Sequence, residues 1–263
     1  MIQSVLTRIG WGRRPLINKG FALVVEPVEA GWIKAGERDT APLTWEDTLR
    51  NSGRDDLQAF RQLRDNVLLR SQGDGGLRTL AVCKAHAGEG SSRVACHLAM
   101  AFASDPRVRV ALVDSDFQHP GLHDYLQVGQ ANGLYDTLHD GADTVKERIK
   151  STALPNLAVV TSGVPPISHA FPVDPLDLGR ILQHLVPQFS MVLVDTAPLL
   201  VETTAAAVAS QCDGAILVVH AEHTRREAVQ EAQARLQQAG ANVLGVVLNR
   251  RQFPIPEFLY KRL

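Results

Sequence analysis

From residue 77 onward, short apolar runs alternate with amphipathic stretches. The apolar runs are rich in Val, Leu and Ile, which is typical of strands covered on both faces. They predict six strands: Arg78–Cys83, Val108–Asp114, Leu157–Thr161, Met191–Asp195, Ala215–Val219 and Val243–Leu248. The amphipathic stretches predict four helices: Ser92–Ala103, Pro175–Leu185, Thr203–Ser210 and Arg225–Ala239.

This alternation of strands and helices predicts an α/β fold with a doubly wound, mostly parallel sheet. In such sheets, ligands bind at the carboxyl ends of the strands. We therefore expect the loops that follow Cys83, Val113 and Val194 to meet at one site.

The first 55 residues differ from the rest and predict an N-terminal arm, with the main domain spanning residues 56–263. The arm holds all three tryptophans, and its first 20 residues carry four basic residues and no acidic one. Trp11, Trp32 and Trp45 are either packing residues or anchors of a surface that docks a partner. A basic segment that lies on a membrane surface is a third interpretation.

Composition narrows the class of protein. Hydrophobic residues make up 45% of the chain, and the net charge of −1 gives no reason to expect nucleic-acid binding. Cys83, Cys96 and Cys212 show no CxxC spacing, so we interpret them as buried apolar residues in a reducing cytosol. The apolar runs are too short to span a membrane, and no secretory signal is visible, so we expect a cytoplasmic protein.

The segment between the first predicted strand and helix is typical of a phosphate-binding loop. A Walker A loop has the form G-x-x-x-x-G-K-[ST]. Gly90 and Ser92 fit this form, whereas Ala85 stands at the first glycine and Ser91 stands at the lysine. The residues predicted to contact a bound nucleotide in this loop are Gly88, Glu89, Gly90, Ser91, Ser92 and Arg93.

Carboxylates stand at the ends of two other predicted strands. Asp114 and Asp116 follow one strand, and Asp195 follows another, so these three are the candidate catalytic residues. Nucleotide phosphates are handled with Mg²⁺, which binds one or two carboxylates, waters and phosphate oxygens. If a nucleotide binds, we predict Mg²⁺ on Ser92, Asp114 and Asp195. The alternative is that each Asp is a turn residue or a helix cap.

The same loop also permits a dinucleotide-binding interpretation. Residues 88–93 begin like the fingerprint G-x-G-x-x-[GA], and Asp114 follows near the ribose-binding position. The sixth position is Arg93, however, where a glycine is needed for close packing of helix on strand. This mismatch disfavours the dinucleotide alternative.

Six segments, in order along the chain, match motifs of one family. They are QAFRQLRDN at 58–66, AGEGSS at 87–92, VDSDFQHPGLH at 113–123, GLYDTL at 133–138, VDTAP at 194–198 and GVVLN at 245–249. From about Leu57 to Leu263 the chain thus resembles the bacterial tyrosine kinase (BY-kinase) family of exopolysaccharide and capsule assembly, a branch of the MinD/ParA-like P-loop ATPases.

The resemblance implies a cytoplasmic protein at the inner membrane, held there by a membrane chain-length-determinant protein, the polysaccharide co-polymerase. It also implies ATP or ADP as ligand, with Asn249 near the adenine. Arg61 and Arg64 correspond to ring-contact positions, which implies a homo-oligomer. Family members phosphorylate a C-terminal tyrosine cluster in trans and thereby regulate polymer length and export.

The chain departs from the family pattern at three places. Ser91 replaces the phosphate-binding lysine, Gln58 replaces a glutamate of the ring-contact segment, and the tail holds only Tyr260 instead of a tyrosine cluster. These departures predict a regulatory or scaffolding protein with impaired or absent kinase activity and weak or absent binding of ATP and Mg²⁺.

Two alternatives stay open. The first is an active ATPase or tyrosine kinase in which Lys84 or Arg93 supplies the missing cation. Against it, we interpret Lys84 as a surface loop charge and Arg93 as a solvated helix residue. The second is a positioning ATPase of the ParA/MinD type, which is disfavoured because His86 stands at the signature lysine of those proteins.

Overall fold

The computed structural model describes residues 21–24, 54–70, 76–165, 174–221 and 223–250. The strands are β1 Phe21–Val24, β2 Thr79–Lys84, β3 Val110–Asp114, β4 Lys150–Ser151, β5 Leu157–Val160, β6 Met191–Pro198, β7 Gly214–His220 and β8 Val243–Asn249. The α-helices are α1 Arg54–Arg70, α2 Ser91–Ala103, α3 Leu122–Leu126, α4 Leu134–Asp140, α5 Val145–Arg148, α6 Pro175–Leu185, α7 Ala205–Ser210 and α8 Arg226–Gln238, with a 3₁₀ turn at Ala142–Thr144. Among these described helices, none combines the length and the apolar character that crossing a bilayer requires.

The strands form one sheet in the order β1-β8-β7-β2-β6-β3-β5-β4. All of the described pairings are parallel except that of β4 with β5. The six predicted strands and four predicted helices are present, with ends shifted by no more than a few residues. The predicted doubly wound, mostly parallel fold is therefore confirmed.

Two apolar layers cover the two faces of the sheet, as alternation along the central strand β2 shows. Leu80 and Val82 pack into the layer formed with α1 and α2, whereas Ala81 and Cys83 pack into the layer formed with α6, α7 and α8. Residues of β2 are buried throughout, because both faces are covered. Cys83, Cys96 and Cys212 are free and buried, as predicted.

The N-terminal arm contributes a strand that the sequence pattern did not predict. β1 runs parallel to β8, with Phe21 opposite Gly245 and Val24 opposite Leu248. It forms one edge of the sheet. Trp11, Trp32 and Trp45 lie outside the described residues, so their docking role stays a prediction.

Helix α1, which was also not predicted, packs its apolar stripe against α2. Phe60, Leu63 and Val67 recur at helical spacing and are buried. Arg64 donates from Nη1 to the carbonyl oxygen of Ala101 at 3.0 Å, near the end of α2, where the last helical carbonyls lack intrahelical partners. Arg61, by contrast, is exposed. The ring-contact role of Arg61 and Arg64 stays a prediction.

His97 of α2 lies in this helix interface and makes stability depend on pH. Its ring stacks on Phe60 with centroids 4.9 Å apart, and burial lowers its pKa to about 4. The unfolded chain protonates His97 near pH 6.5 but the folded chain does not, so this residue's contribution to stability is lost as pH falls from about 6.5 to 4.

We expect the His97 effect to lower the free energy of unfolding by about 2 kcal/mol between pH 7 and pH 5. Urea titrations of wild type and His97→Gln at both pH values isolate it, because the variant keeps every other titrating group. Equal pH slopes in the two proteins would show that His97 is protonated alike in the folded and unfolded states.

Candidate functional site

The loop between β2 and α2 has the backbone form of a phosphate-binding loop. Gly88 and Gly90 adopt left-handed φ values of 86° and 83°, which favour glycine. Gly90 directly precedes α2, and the N–H of Val94 donates to its carbonyl oxygen at 3.0 Å. The first N–H groups of α2 therefore face the loop, in an arrangement that favours anions.

Glu89 fixes the shape of this loop. One oxygen of its buried carboxylate accepts the N–H of Ala85 at 2.7 Å, and the other accepts the hydroxyl of Thr224 at 2.8 Å. Asn249 donates from Nδ2 to the Glu89 carbonyl oxygen at 2.9 Å, and a methyl group on Gly90 would overlap that same Nδ2 atom. The Glu89 carboxylate is thus used inside the loop, and Asn249 stands beside it at the end of β8.

The three candidate catalytic carboxylates converge with this loop, as the parallel-sheet rule predicts. Asp114 and Asp195 lie opposite each other in the pairing of β3 with β6. Ser91 donates its hydroxyl to Asp195 Oδ1 at 3.0 Å. Asp114, Asp116 and Asp195 are all fully buried. The prediction that the residues following Cys83, Val113 and Val194 meet at one site is therefore confirmed, although β6 continues beyond Asp195 to Pro198.

The Asp114 carboxyl accepts backbone hydrogen bonds in a turn, and its pKa is raised. Its Oδ1 accepts the N–H of Asp116, and its Oδ2 accepts the N–H groups of Gly121 and Leu122, each at 3.2 Å. Burial, with the nearby Asp195 charge, raises the pKa of Asp114 to about 7. The neutral form of this buried carboxyl is thus favoured more than it is in water.

Lys84 is part of the site, so its interpretation as a surface loop charge is wrong. It ends β2 and is only 5% exposed. Its Nζ lies 2.8 Å from Asp116 Oδ2 and 3.9 Å from Asp195 Oδ1. Burial lowers the pKa of Lys84, but the charges of Asp195, Asp116 and Asp114 outweigh burial and raise it, so the amine is a fixed positive charge.

The other residues predicted to contact a nucleotide, Ser91, Ser92 and Arg93, lie at the start of α2. Ser91 is 1% exposed, and its hydroxyl donates to Asp195. Arg93 is exposed, in agreement with its interpretation as a solvated helix residue. Burial raises the pKa of Asp195, an effect that Lys84 and the hydroxyls of Ser92 and Ser91 oppose. The position of the phosphate-binding lysine is therefore filled by a hydroxyl that bonds a carboxylate.

As arranged, Asp114 and Asp116 present few free oxygens to a divalent cation. Within the described ranges there is no group of three or more His, Cys, Asp or Glu residues that could hold a metal ion. The oxygens of Asp114 accept backbone N–H groups, and those of Asp116 face His119 N and Lys84 Nζ. Asp116 Oδ2 and Asp195 Oδ2 are both buried without a hydrogen-bond partner among the described residues, and Lys84 Nζ lies 2.8 Å from Asp116 Oδ2 as an ion pair. Asp114 would have to give up backbone hydrogen bonds to bind Mg²⁺ directly, whereas the predicted roles of Ser92 and Asp195 as Mg²⁺ ligands stay predictions.

The predicted tail residue Tyr260 lies outside the described residues. The sequence signal for Lys84 was present but weak: a lysine at the end of a strand next to a strand that ends in Asp195. Lysine is mostly exposed in proteins, so residue type alone argued for the surface.

Curated relatives are tyrosine-protein kinases. The chain is 28% identical over 192 residues to the tyrosine-protein kinase CpsD of Streptococcus agalactiae, covering 73% of this chain and 82% of that protein. It is 25% identical over 193 residues to the putative tyrosine-protein kinase CapB of Staphylococcus aureus, covering 73% and 83%. No protein-family model matches the chain. The resemblance to BY-kinases is confirmed by these relatives.

Solved structures confirm the fold. The chimerical protein CapA2B2 aligns with a TM-score of 0.71 at 22% identity, over 96% of this chain and 100% of that one. The kinase domain of Escherichia coli tyrosine kinase ETK aligns at 0.66 and 23% identity, over 77% and 80%. MinD of Pyrococcus horikoshii, solved with Mg-ADP, aligns at 0.56 and 23% identity, over 70% and 76%.

Proposed function

We propose that this chain is a regulatory or scaffolding component of exopolysaccharide polymerisation or export, with impaired or absent tyrosine kinase activity. One observation carries the proposal: at the start of α2, Ser91 bonds Asp195 where a BY-kinase-like loop has its phosphate-binding lysine. The loop backbone is otherwise intact, which supports retained binding of an anion such as a nucleotide phosphate.

The missing lysine affects chemistry more than binding. A hydrogen bond from a charged group contributes about 1.5–3 kcal/mol, which is about one to two decades of affinity. The transition state loses more, because the lysine also offsets charge that develops on the transferred phosphoryl group. Arg93 is exposed at the loop and takes part in none of the described ion pairs at the carboxylates. Weak nucleotide binding with little phosphoryl transfer is the expected behaviour.

The partner in this proposal is a membrane polysaccharide co-polymerase. Support comes from the coverage of the solved structures. The ETK kinase domain aligns with 77% of this chain, whereas the CapA2B2 chimera aligns with 96% of it. The longer match is to a chimera, a fusion of segments from more than one protein, which supports a role for this chain alongside a second protein.

The test compares wild type with Ser91→Lys by calorimetric titration with ATP·Mg²⁺ and by a labelled-phosphate assay. We expect weak binding and no transfer by wild type, and about 10- to 100-fold tighter binding by Ser91→Lys, since the variant restores the charged hydrogen bond. Ser151→Lys, which adds the same charge on the exposed edge strand β4, is the control and should bind like wild type. Robust turnover by wild type would overturn the proposal.

A second candidate is an active ATPase or tyrosine kinase with a substitute cation. It is favoured by the buried position of Lys84 beside Asp116 and Asp195. Under this alternative, wild type transfers labelled phosphate and Lys84→Met does not.

A further inference from the structure

The positive charge of this site is carried by Lys84, at the end of β2. The start of α2, where a Walker A loop carries its lysine, holds Ser91. Lys84 Nζ is 2.8 Å from Asp116 Oδ2 and 3.9 Å from Asp195 Oδ1. The side chains involved are at most 6% exposed. A buried ammonium holds such a position only when carboxylates compensate the loss of its hydration.

The carboxylate oxygens around Lys84 are largely used. Asp116 Oδ1 accepts the N–H of His119 at 2.9 Å, so the oxygen that faces Lys84 is the one left for a cation. Asp195 Oδ1 accepts the Ser91 hydroxyl at 3.0 Å, and its Oδ2 has no partner among the described residues. The oxygen of Asp116 that is available to a cation therefore faces the Lys84 ammonium, which also lies 3.9 Å from Asp195 Oδ1.

A divalent cation and this ammonium would compete for the same oxygens. Mg²⁺ needs near-octahedral oxygen ligands at about 2.0–2.1 Å. A metal within that distance of Asp116 Oδ2 would stand next to the Lys84 charge, and two cations a few ångström apart repel strongly in a buried site. Lys84 would have to leave before a metal could bind there.

We propose that the Lys84 ammonium is the resident cation of this carboxylate cluster and takes the place of a divalent metal between Asp116 and Asp195. The nucleotide part of this inference rests on the proposed function: any nucleotide phosphate in the loop is bound without a requirement for Mg²⁺. The metal part concerns the protein alone and stands independently of a nucleotide.

The metal part is tested with Mn²⁺ titrated into nucleotide-free protein and followed by electron paramagnetic resonance. We expect no site-specific binding by wild type, and binding by Lys84→Met and Lys84→Gln tighter by about tenfold or more, because a neighbouring unit charge is removed. Lys146→Met, at an exposed position in α5, is the control and should behave as wild type. Circular dichroism confirms that each variant is folded.

Equal Mn²⁺ binding by wild type and the Lys84 variants would overturn the proposal, and so would absence of binding in all of them. If both variants fail to fold, wild type alone decides: Mn²⁺ bound at Asp116 and Asp195 contradicts the proposal, and no binding supports it.

In the second arm, wild type is titrated with ATP in Mg²⁺ and in EDTA. Equal affinities support the inference, and binding only with Mg²⁺ overturns it. Absence of ATP binding in both solutions counts against the nucleotide site of the proposed function, while the Mn²⁺ arm still decides on Lys84.

Discussion

Lys84→Met is expected to lower the free energy of unfolding by about 3–5 kcal/mol, the range observed when one partner of a buried ion pair is removed. Lys84 lies 2.8 Å from Asp116 and 3.9 Å from Asp195, and both carboxylates are buried. Methionine preserves most of the side-chain volume but none of the charge. The loss therefore measures uncompensated carboxylates and not a cavity.

Urea unfolding at pH 7.5 measures the effect of Lys84→Met. The double variant Lys84→Met/Asp116→Asn removes both partners and should recover a large part of the loss, since an uncharged pair carries a smaller desolvation penalty. Lys146→Met changes an exposed lysine and should stay within about 0.5 kcal/mol of wild type. A Lys84→Met loss below about 1 kcal/mol would mean that Asp116 finds another partner or a proton.

Gly133→Ala is expected to cost about 3 kcal/mol, at the upper end for overpacking, because the added methyl group meets main-chain atoms that cannot move aside. Gly133 is buried, and a Cβ there would overlap the carbonyl oxygen of Thr161 and the backbone nitrogen of Gly163. The same contact is hydrogen-bonded: Leu134 N donates to Thr161 O at 2.7 Å. The glycine of the GLYDTL segment is thus required by close approach of two backbones.

Gly129→Ala provides the matched control for Gly133→Ala. Gly129 stands four residues earlier, is exposed, and has open space where a Cβ would be added. Its substitution should change stability by no more than about 0.5 kcal/mol. Thermal and urea unfolding of both variants test the claim. Similar stabilities for the two would show that the backbones at Gly133 and Thr161 can separate at little cost.

The layered sheet could be predicted because its strands are buried on both faces and therefore read as continuous apolar runs. The bounds of α6 were predicted to the residue. In the structure, Asp174 caps this helix and Pro175 lies in its first turn. Helix α1 was not predicted, although Phe60, Leu63 and Val67 carry a helical stripe. Helices α3, α4 and α5 are too short for a periodic pattern, and β1 is defined by pairing with β8, which lies more than 200 residues away in sequence.

The three carboxylates of the candidate site could be predicted from the sequence, but the position of the Lys84 side chain could not. Asp114 ends β3, Asp116 follows it, and Asp195 lies in the neighbouring parallel strand β6, and the topology of such sheets brings the carboxyl ends of strands together. The direction of a side chain at a strand end is set by its neighbours in three dimensions. Lys84 turns inward because Asp116, just after β3, and Asp195, within β6, stand beside it. The sequence around residue 84 carries only a weak signal of that direction.

Strand β1 determines whether a fragment of this protein that lacks the N-terminal arm keeps a protected sheet edge. Phe21–Val24 covers the outer backbone groups of β8 between Gly245 and Leu248. A fragment that begins at residue 56 would leave that edge with unpaired N–H and C=O groups, which are a template for pairing with other chains. Aggregation of such a fragment would then report the loss of a protective edge, and not an unstable sheet.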